Sequence, residues 1–147
     1  MIVLQASLHP APASLPPAKL APVESLNLPT YAFDPKSAQQ GWEVTFDDAY
    51  ARMESLPQMF LEPDGSWFWT SPAGEPRWQL EGNLYDAGAL LGYVDIKGYC
   101  PRPAMEKLLG CLGWPANSIM VQVSRLGLFI TADDFLTVID KASADQS

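Results

Sequence analysis

The side chain best suited to chemistry in this sequence is the thiol of Cys100. It precedes Pro101 and Pro103, which are tolerated in a helix's first turn because amide donors there have no intrahelical partner. We therefore expect a helix that begins at Pro101 and places the Cys100 sulfur at the positive end of its dipole. Two cations, Lys97 and Arg102, lie close by in sequence. These effects favour the thiolate, which is the nucleophilic form of cysteine.

A strand and a helix must hold this thiol in place. Val94 and Ile96 alternate with polar neighbours, which predicts a half-buried strand before the thiol. If Cys100 and Cys111 both flank the helix that follows, they lie about 16 Å apart, beyond the limit of about 7 Å for a disulfide. We expect two free thiols, as in a reducing compartment. The helix is predicted from apolar residues at helical spacing, namely Met105, Leu108, Leu109 and Leu112.

The sequence D-I-K-G at 95–98, followed by C-P-R-P-A-M at 100–105, resembles the D-x-x-G…C-P-x-P-x-M signature of the TusA-type (SirA-like) sulfur-carrier proteins. The resemblance is local and is confined to residues 93–113. It implies that Cys100 carries a persulfide that passes between partner proteins, with the two prolines shaping the turn, on a small two-layer α/β sandwich. The alternative interpretation is a half-buried cysteine at a corner between a strand and a helix.

Other catalytic classes find less support in the sequence. His9 is the only histidine, and it lies in a segment that we expect to be disordered, so histidine-dependent triads and most zinc sites lack a ligand on the folded scaffold. The pairs Asp47/Asp48 and Asp133/Asp134 could hold Mg²⁺ or Ca²⁺. Each pair also follows a threonine and is typical of a helix start, which explains the acids without a metal or an internal duplication. We expect no metal and no cofactor.

The net charge and the hydropathy of the chain limit the classes of molecule that it is expected to bind. The net charge of −8 and the pI near 4.4 argue against nucleic acid and anionic membranes, which attract clustered Lys and Arg. No apolar run reaches the roughly 18 to 20 residues of a membrane helix. The first residues lack the basic and apolar regions of a secretory signal, so we expect a cytoplasmic protein.

The chain divides into an arm and one domain. Residues 1–30 are rich in proline and nearly uncharged, which predicts a disordered, polyproline-like arm. Such an arm is either a ligand for an aromatic groove or a floppy leader. Residues 31–142 are expected to form a single domain, and residues 143–147 a frayed tail.

The predicted fold class is α+β. Alternating residues and turn signals indicate a mainly antiparallel sheet of about six or seven strands, with two or three helices packed on it in two layers. Four successive strands are expected to form a meander. The strands are predicted near residues 42–46, 59–62, 66–69, 78–85, 93–97, 119–123 and 128–130, and the helices near 47–56, 101–112 and 132–142.

The clearest hairpin signal is Pro63-Asp64-Gly65 between MFLE and SWFW. Trp67 and Trp69 would then share one face, and Phe68 would lie opposite Phe60 on the other. Because both faces are apolar, we expect this hairpin to be central in the sheet and covered on both sides.

The function favoured by these patterns is a small protein-interaction or binding module with no assignable catalytic centre and an unknown protein partner. Trp67, Trp69 and Trp78 are candidates for an aromatic groove that binds a protein segment or a small apolar ligand, although such residues are more often core. The alternative function is a thiol-based sulfur carrier that acts through Cys100. Burial of the Cys100 side chain would contradict that alternative.

Overall fold

The computed structural model describes residues 4–35, 42–123 and 127–145. It contains nine strands and three helices within these residues. In chain order they are β1 (Leu4–Pro10), β2 (Lys19–Val23), β3 (Leu26–Thr30), α1 (Phe46–Glu54), β4 (Met59–Leu61), β5 (Ser66–Thr70), β6 (Gln79–Ala87), β7 (Leu90–Tyr99), α2 (Arg102–Cys111), β8 (Ile119–Val123), β9 (Leu128–Thr131) and α3 (Ala132–Asp145).

Seven strands form one antiparallel sheet in the order β4-β5-β6-β7-β1-β8-β9, and β2 and β3 form a separate hairpin. Helix α1 packs against β4, β6 and β7, helix α3 packs against β8 and β9, and α2 contacts both helices. The core lies between this helical layer and the sheet. The predicted α+β class and the meander from β4 to β7 are confirmed.

Local sequence explains the helix starts. The Thr45 hydroxyl accepts a hydrogen bond from the amide of Asp48 at 3.0 Å, and the Thr131 hydroxyl accepts one from the amide of Asp134 at 3.1 Å. These are the two threonine-acid tetrads of the sequence, and both act as helix caps. Helix α2 differs, because its N-cap is Pro101 rather than Cys100 and no side chain caps it.

The prediction of a disordered arm is wrong for the described part of residues 1–30. Residues 4–10 form β1, which lies between β7 and β8 in the middle of the sheet. Leu4, Ala6 and Leu8 alternate with polar residues and are at most 6% exposed. The prolines hid this pattern, but they fall at the end of β1, in the link 11–18 and in the separate hairpin, where missing amide donors are tolerated. Residues 1–3 lie outside the described chain.

The tryptophan hairpin occupies a different place from the one predicted. It forms β4 and β5 with the expected register, Phe60 opposite Phe68, but β4 is an edge strand and only one face of the hairpin is covered. The predicted strand at 42–46 is also absent. That segment is attached to the sheet by single contacts, including a 2.7 Å hydrogen bond from the Trp42 indole to the Gly92 carbonyl.

The chain end is more ordered than a frayed tail over residues 143–145, which continue α3. Ser143 forms a hydrogen bond with the Tyr99 hydroxyl, which ties the helix to the end of β7. Residues 146–147 lie outside the described chain. None of the helices in the described segments is both long and apolar enough to cross a membrane.

Candidate binding face

The sheet face opposite the helices carries exposed aromatic side chains. Phe60 is 63% exposed, and Phe68, Tyr85 and Tyr93 are 37–38% exposed. The strand register places them all on the same side, because Phe60 pairs with Phe68 and Tyr85 pairs with Tyr93. We call this side of the sheet, from β4 to β1, the open face. The rings form two pairs, one on β4 and β5 and one on β6 and β7, and exposed aromatic side chains on one face are typical of interaction surfaces.

A polar groove of about 460 Å³ crosses the open face between β5 and β1. Within it, Glu81 on β6 lies opposite Lys97 on β7, without an ion pair between them among the described residues. The other groove residues whose register positions fall on the open face are Gln5, Ser7, Ser66, Asn83 and Asp95. The groove therefore offers hydroxyl, amide, carboxylate and ammonium groups side by side.

Asp95 connects this groove to the neighbouring tyrosine pair, Tyr85 and Tyr93. One of its carboxylate oxygens accepts a hydrogen bond from the backbone amide of Asn83 at 2.6 Å, and the other accepts one from the Tyr85 hydroxyl at 3.0 Å. Tyr85 also stacks on Tyr93 at 4.4 Å between ring centroids. These contacts hold the two tyrosine rings in one orientation, so the surface is preorganised.

His9 lies on the folded scaffold, which corrects the expectation that it belongs to a disordered arm. Its ring is 7% exposed and stacks on Tyr93, and its Nε2 lies 2.7 Å from the Ser7 hydroxyl. Burial lowers the pKa of His9 from 6.5 to about 4, so the ring is neutral at pH 7. The exclusion of histidine chemistry from sequence was therefore made on a wrong premise.

The Ser7–His9 pair nevertheless lacks the third member of a catalytic triad. Asp95 is the cross-strand neighbour of Ser7, but its two oxygens bind Asn83 and Tyr85. No described carboxylate is hydrogen-bonded to the His9 ring. The serine hydroxyl thus satisfies a buried imidazole, which is the ordinary requirement of a polar group in a core.

Aromatic packing covers the other half of this sheet side. His9 meets the edge of Phe129, and Phe129 stacks on Phe33 at 4.0 Å. Tyr31 is tied to Phe129 by two backbone hydrogen bonds of 2.8 and 2.9 Å. The chain at 31–35 therefore shields the β9 end, while the rings on β4 to β7 stay exposed.

No family model, curated protein or solved structure matches this chain. The function must therefore be argued from the geometry of the site.

The Cys100 site differs from the prediction made for it. The side chain is 0% exposed, and burial raises the pKa of its thiol well above the usual range. Arg102 points to Glu106 and Asp140, at 2.9 and 2.6 Å, and Lys97 lies on the open face. The expectation of an accessible thiolate at a helix start is therefore wrong, because the Cys100 side chain lies in the hydrophobic core. Cys111 is buried as well, and both thiols are free, as expected.

The three tryptophans predicted to line an exposed groove are buried instead. Trp67, Trp69 and Trp78 are 3–8% exposed. The Trp69 indole donates a hydrogen bond to the Pro57 carbonyl at 2.9 Å, and its ring meets the edge of Trp78 at 4.9 Å. The indole nitrogen of Trp67 is buried without a hydrogen-bond partner in the described chain. These three rings belong to the helix-covered face, and the predicted aromatic groove is not formed by them.

The exposed rings could have been found from the same alternation. Phe60 lies between two half-buried residues of β4 and Phe68 between two buried residues of β5, and Tyr85 and Tyr93 occupy the polar side of β6 and β7. The pattern separates the two sets of rings. It does not say which set the helices cover.

A second groove, of about 520 Å³, lies at the rim of the sheet beside the start of α1. Asp47, Asp64 and Asp86 line it together with Tyr85, and no Lys or Arg is among its lining residues. The Asp64 carboxylate accepts hydrogen bonds from the amide and hydroxyl of Ser66, which lower its pKa. Within the described chain, no group of three or more His, Cys, Asp or Glu side chains is arranged to hold a metal ion.

Proposed function

We propose that this chain is a protein-interaction module that binds its partner through the open face. The observation that carries the proposal is the contrast between neighbouring side chains on one strand. Phe68 is 37% exposed, whereas Trp67 and Trp69 on either side of it are 4% and 3% exposed. Aromatic residues are enriched in interfaces because they contribute large contact areas at low entropic cost.

The composition of the surface supports a protein partner. The exposed rings lie on the same face as a groove with both hydrogen-bond donors and acceptors, which is the mixture found in non-obligate interfaces. The net charge of −8 favours protein over nucleic acid, whose phosphates would be repelled. The groove is lined by residues of four neighbouring strands, β1, β5, β6 and β7, and many of these residues are polar, which suits a protein segment better than a small apolar ligand.

The observations do not favour a second function. A persulfide carrier needs an accessible thiolate, and Cys100 is buried with a raised pKa. Hydrolysis by Ser7 needs an oriented base and donors for the oxyanion. His9 has no acidic partner in the described chain, so this pair does not supply them.

Site-specific photo-cross-linking in the cells that make the protein tests the proposal. A photoreactive phenylalanine analogue is placed at Phe68, and in a second variant at Leu20. Leu20 is a matched control because it is 64% exposed but lies on β2, away from the seven-stranded sheet. We expect a discrete adduct with another protein from position 68 and none from position 20.

The captured protein is then purified and titrated against the Phe68→Ser and Leu20→Ser variants. We expect Phe68→Ser to weaken binding at least about tenfold, which corresponds to the loss of a moderate hot spot of about 1.4 kcal/mol. Leu20→Ser should bind like the parent chain. Equal binding by both variants, adducts from position 20 alone, or an adduct of two copies of this chain would contradict the proposal.

A further inference from the structure

We infer that an extended, apolar segment of the partner protein pairs with the edge strand β4 and becomes an eighth strand of the sheet. This inference rests on the proposed function, because Phe60 of β4 belongs to the open face and the added segment lies beside it. The partner then binds through main-chain hydrogen bonds to the sheet edge as well as through the exposed rings.

The hydrogen-bond pattern of the β4–β5 hairpin turns part of the β4 backbone outward. The Glu62 amide donates to the Ser66 carbonyl at 2.9 Å, so these two residues form a hydrogen-bonded pair. Hydrogen-bonded and non-hydrogen-bonded pairs alternate along an antiparallel ladder. By this alternation the backbone of Phe60 bonds to β5, whereas the backbone groups of Met59 and Leu61 point away from it.

Three of these outward backbone groups have no hydrogen-bond partner in the described part of the chain. They are the Leu61 amide, the Leu61 carbonyl and the Met59 carbonyl. The Met59 amide differs, because it donates to the Leu56 carbonyl at 3.2 Å. A row of unpaired donors and acceptors on a strand is a template for a further strand.

The two edges of the seven-stranded sheet differ in their protection. At the β9 edge, the Phe129 amide and carbonyl are bonded to the Tyr31 backbone at 2.9 and 2.8 Å, so a segment of the chain itself covers that edge. At the β4 edge, no segment of the described ranges occupies the equivalent place. Because proteins usually protect their sheet edges, the open β4 edge indicates a place where another strand binds.

The side chains of β4 define the chemistry of the added segment. Phe60 is exposed on the open face, and Met59 and Leu61 are only half-buried on the helix-covered face. Their register partners on β5, Trp69 and Trp67, are buried. The sheet therefore ends with apolar surface on both of its faces. A strand with apolar side chains in both directions covers this surface.

A partner segment fits this edge better than a second copy of the chain. Two copies that paired through β4 would meet along strands of three residues each, and each copy carries a net charge of −8. Stable dimers bury about 1,200 Å² or more in total, which a contact between two such short strands does not supply. A single segment also contacts the neighbouring exposed rings, so it does not depend on the edge alone.

The probes for a direct test are three fluorescein-labelled octapeptides, each with a lysine at both ends. The first alternates valine with tyrosine, the second alternates serine with threonine, and the third is the first peptide with its central amides methylated. Binding to the purified full-length chain is measured by fluorescence anisotropy at physiological salt. We expect the valine-tyrosine peptide to bind, the serine-threonine peptide to bind at least about tenfold more weakly, and the methylated peptide not to bind.

Hydrogen exchange of single amides locates the bound peptide. In the free chain the outward Leu61 amide should exchange fast, whereas the Phe60 amide in the ladder should exchange slowly. The valine-tyrosine peptide should slow exchange at Leu61 at least about tenfold and change exchange at Phe60 much less. Nuclear magnetic resonance of the isotope-labelled chain resolves the two amides.

Two substitutions at one position separate the amide from the side chain. Leu61→Pro removes the outward amide, and proline is tolerated where the amide of an edge strand faces solvent. Leu61→Ala keeps the amide and shortens the side chain. We expect Leu61→Pro to weaken binding of the valine-tyrosine peptide at least about tenfold and Leu61→Ala at most about threefold. The urea unfolding midpoints show whether both variants fold, and exchange at Leu61 in the parent chain decides the question if Leu61→Pro does not.

Three results would overturn the added strand. The first is equal binding of the methylated and the valine-tyrosine peptides. The second is fast exchange at Leu61 in the chain saturated with the valine-tyrosine peptide. The third is slow exchange at Leu61 that develops when the chain alone is concentrated, because a second copy then occupies β4.

Exchange at Leu61 also separates this inference from the proposed function. If a protein captured at Phe68 binds without slowing exchange at Leu61, the interaction face stands and the added strand is wrong. If the peptide slows exchange at Leu61 but position 68 captures no protein, the edge binds a strand and the proposed function is wrong. If neither occurs, both are wrong.

Discussion

The two faces of the seven-stranded sheet use the same strands for different purposes. On the helix-covered face, Leu8, Val94 and Leu84 occupy adjoining register positions and are at most 2% exposed. On the open face, Tyr93 and Tyr85 are register partners one position away and remain more than a third exposed. The difference teaches that folding stability is concentrated on one face, so the other can keep exposed rings without loss of the fold.

The open face also changes along its length. From Phe60 at the edge strand to Phe129 under Phe33, the rings pass from mostly exposed to fully buried. His9 lies at the boundary, stacked on exposed Tyr93 and in edge contact with buried Phe129. Substitutions on the two faces, or at the two ends of this gradient in exposure, should therefore have effects on stability that differ in magnitude.

The largest effect is expected from removal of β1. Deletion of residues 1–10 takes a strand out of the middle of the sheet and leaves β7 and β8 without their shared partner. We expect loss of cooperative unfolding, measured by circular dichroism in urea. Gln5→Ala in the full chain is the control, since this side chain is exposed. A truncated chain with the original midpoint would show that the N-terminal segment is dispensable after all.

Substitution of two neighbouring residues on β5 compares how much each face of the sheet contributes to stability. Trp69→Ala removes a ring that is 3% exposed and should cost about 3–5 kcal/mol of unfolding free energy, because it leaves a cavity. Phe68→Ala removes a ring from the open face and should cost less than about 1 kcal/mol. Urea unfolding of both variants provides the measurement. Similar costs would mean that the two faces are packed alike.

His9 should make stability depend on pH. Its pKa is about 4 in the folded chain and 6.5 in the unfolded chain, so the unfolded state binds more protons between these values. The contribution of neutral His9 to the free energy of unfolding is fully present above pH 6.5. It falls as the pH drops toward 4, by about 3 kcal/mol in total. The difference in unfolding free energy between the parent and His9→Phe isolates this contribution, because their carboxylates are the same. A difference independent of pH would show that the folded chain holds His9 with an ordinary pKa.

The smallest effect is expected at the thiols. Cys100 and Cys111 belong to the helix-covered side, and burial raises the pKa of both. Ellman's reagent at pH 8 should therefore react with neither in the native chain and with both after denaturation. Cys100→Ala and Cys111→Ala assign any signal to one position. Rapid reaction of native Cys100 would revive the sulfur-carrier alternative.

Local patterns in the sequence predict the elements well, because their causes are local. Threonine caps start α1 and α3, and the Pro-Asp-Gly turn sets the register of β4 and β5. Which face is covered depends on helices that are distant in sequence. Alternation separates Trp67 from Phe68, but only the packing of α1 decides which of them is buried.

The wrong predictions also concern features that depend on contacts between residues distant in sequence. The alternation of Leu4, Ala6 and Leu8 was present, but the nearby prolines suggested disorder, and the partners of β1 lie more than 80 residues away in β7. The helix start near Cys100 was predicted, but its side chain lies in the core, which is assembled from elements distant in sequence. His9 was misassigned together with β1. As a result, its aromatic contacts at the border of the open face were missed.

Amide hydrogen exchange of the chain, alone and with the protein captured at Phe68, tests the central claim most directly. The claim is that partners engage the open face of β5, β6 and β7 and leave the helical layer untouched. We expect added protection in the segments 66–70 and 79–99, and unchanged exchange in α1 and α3. Protection confined to the helices, with none in these strands, would contradict it.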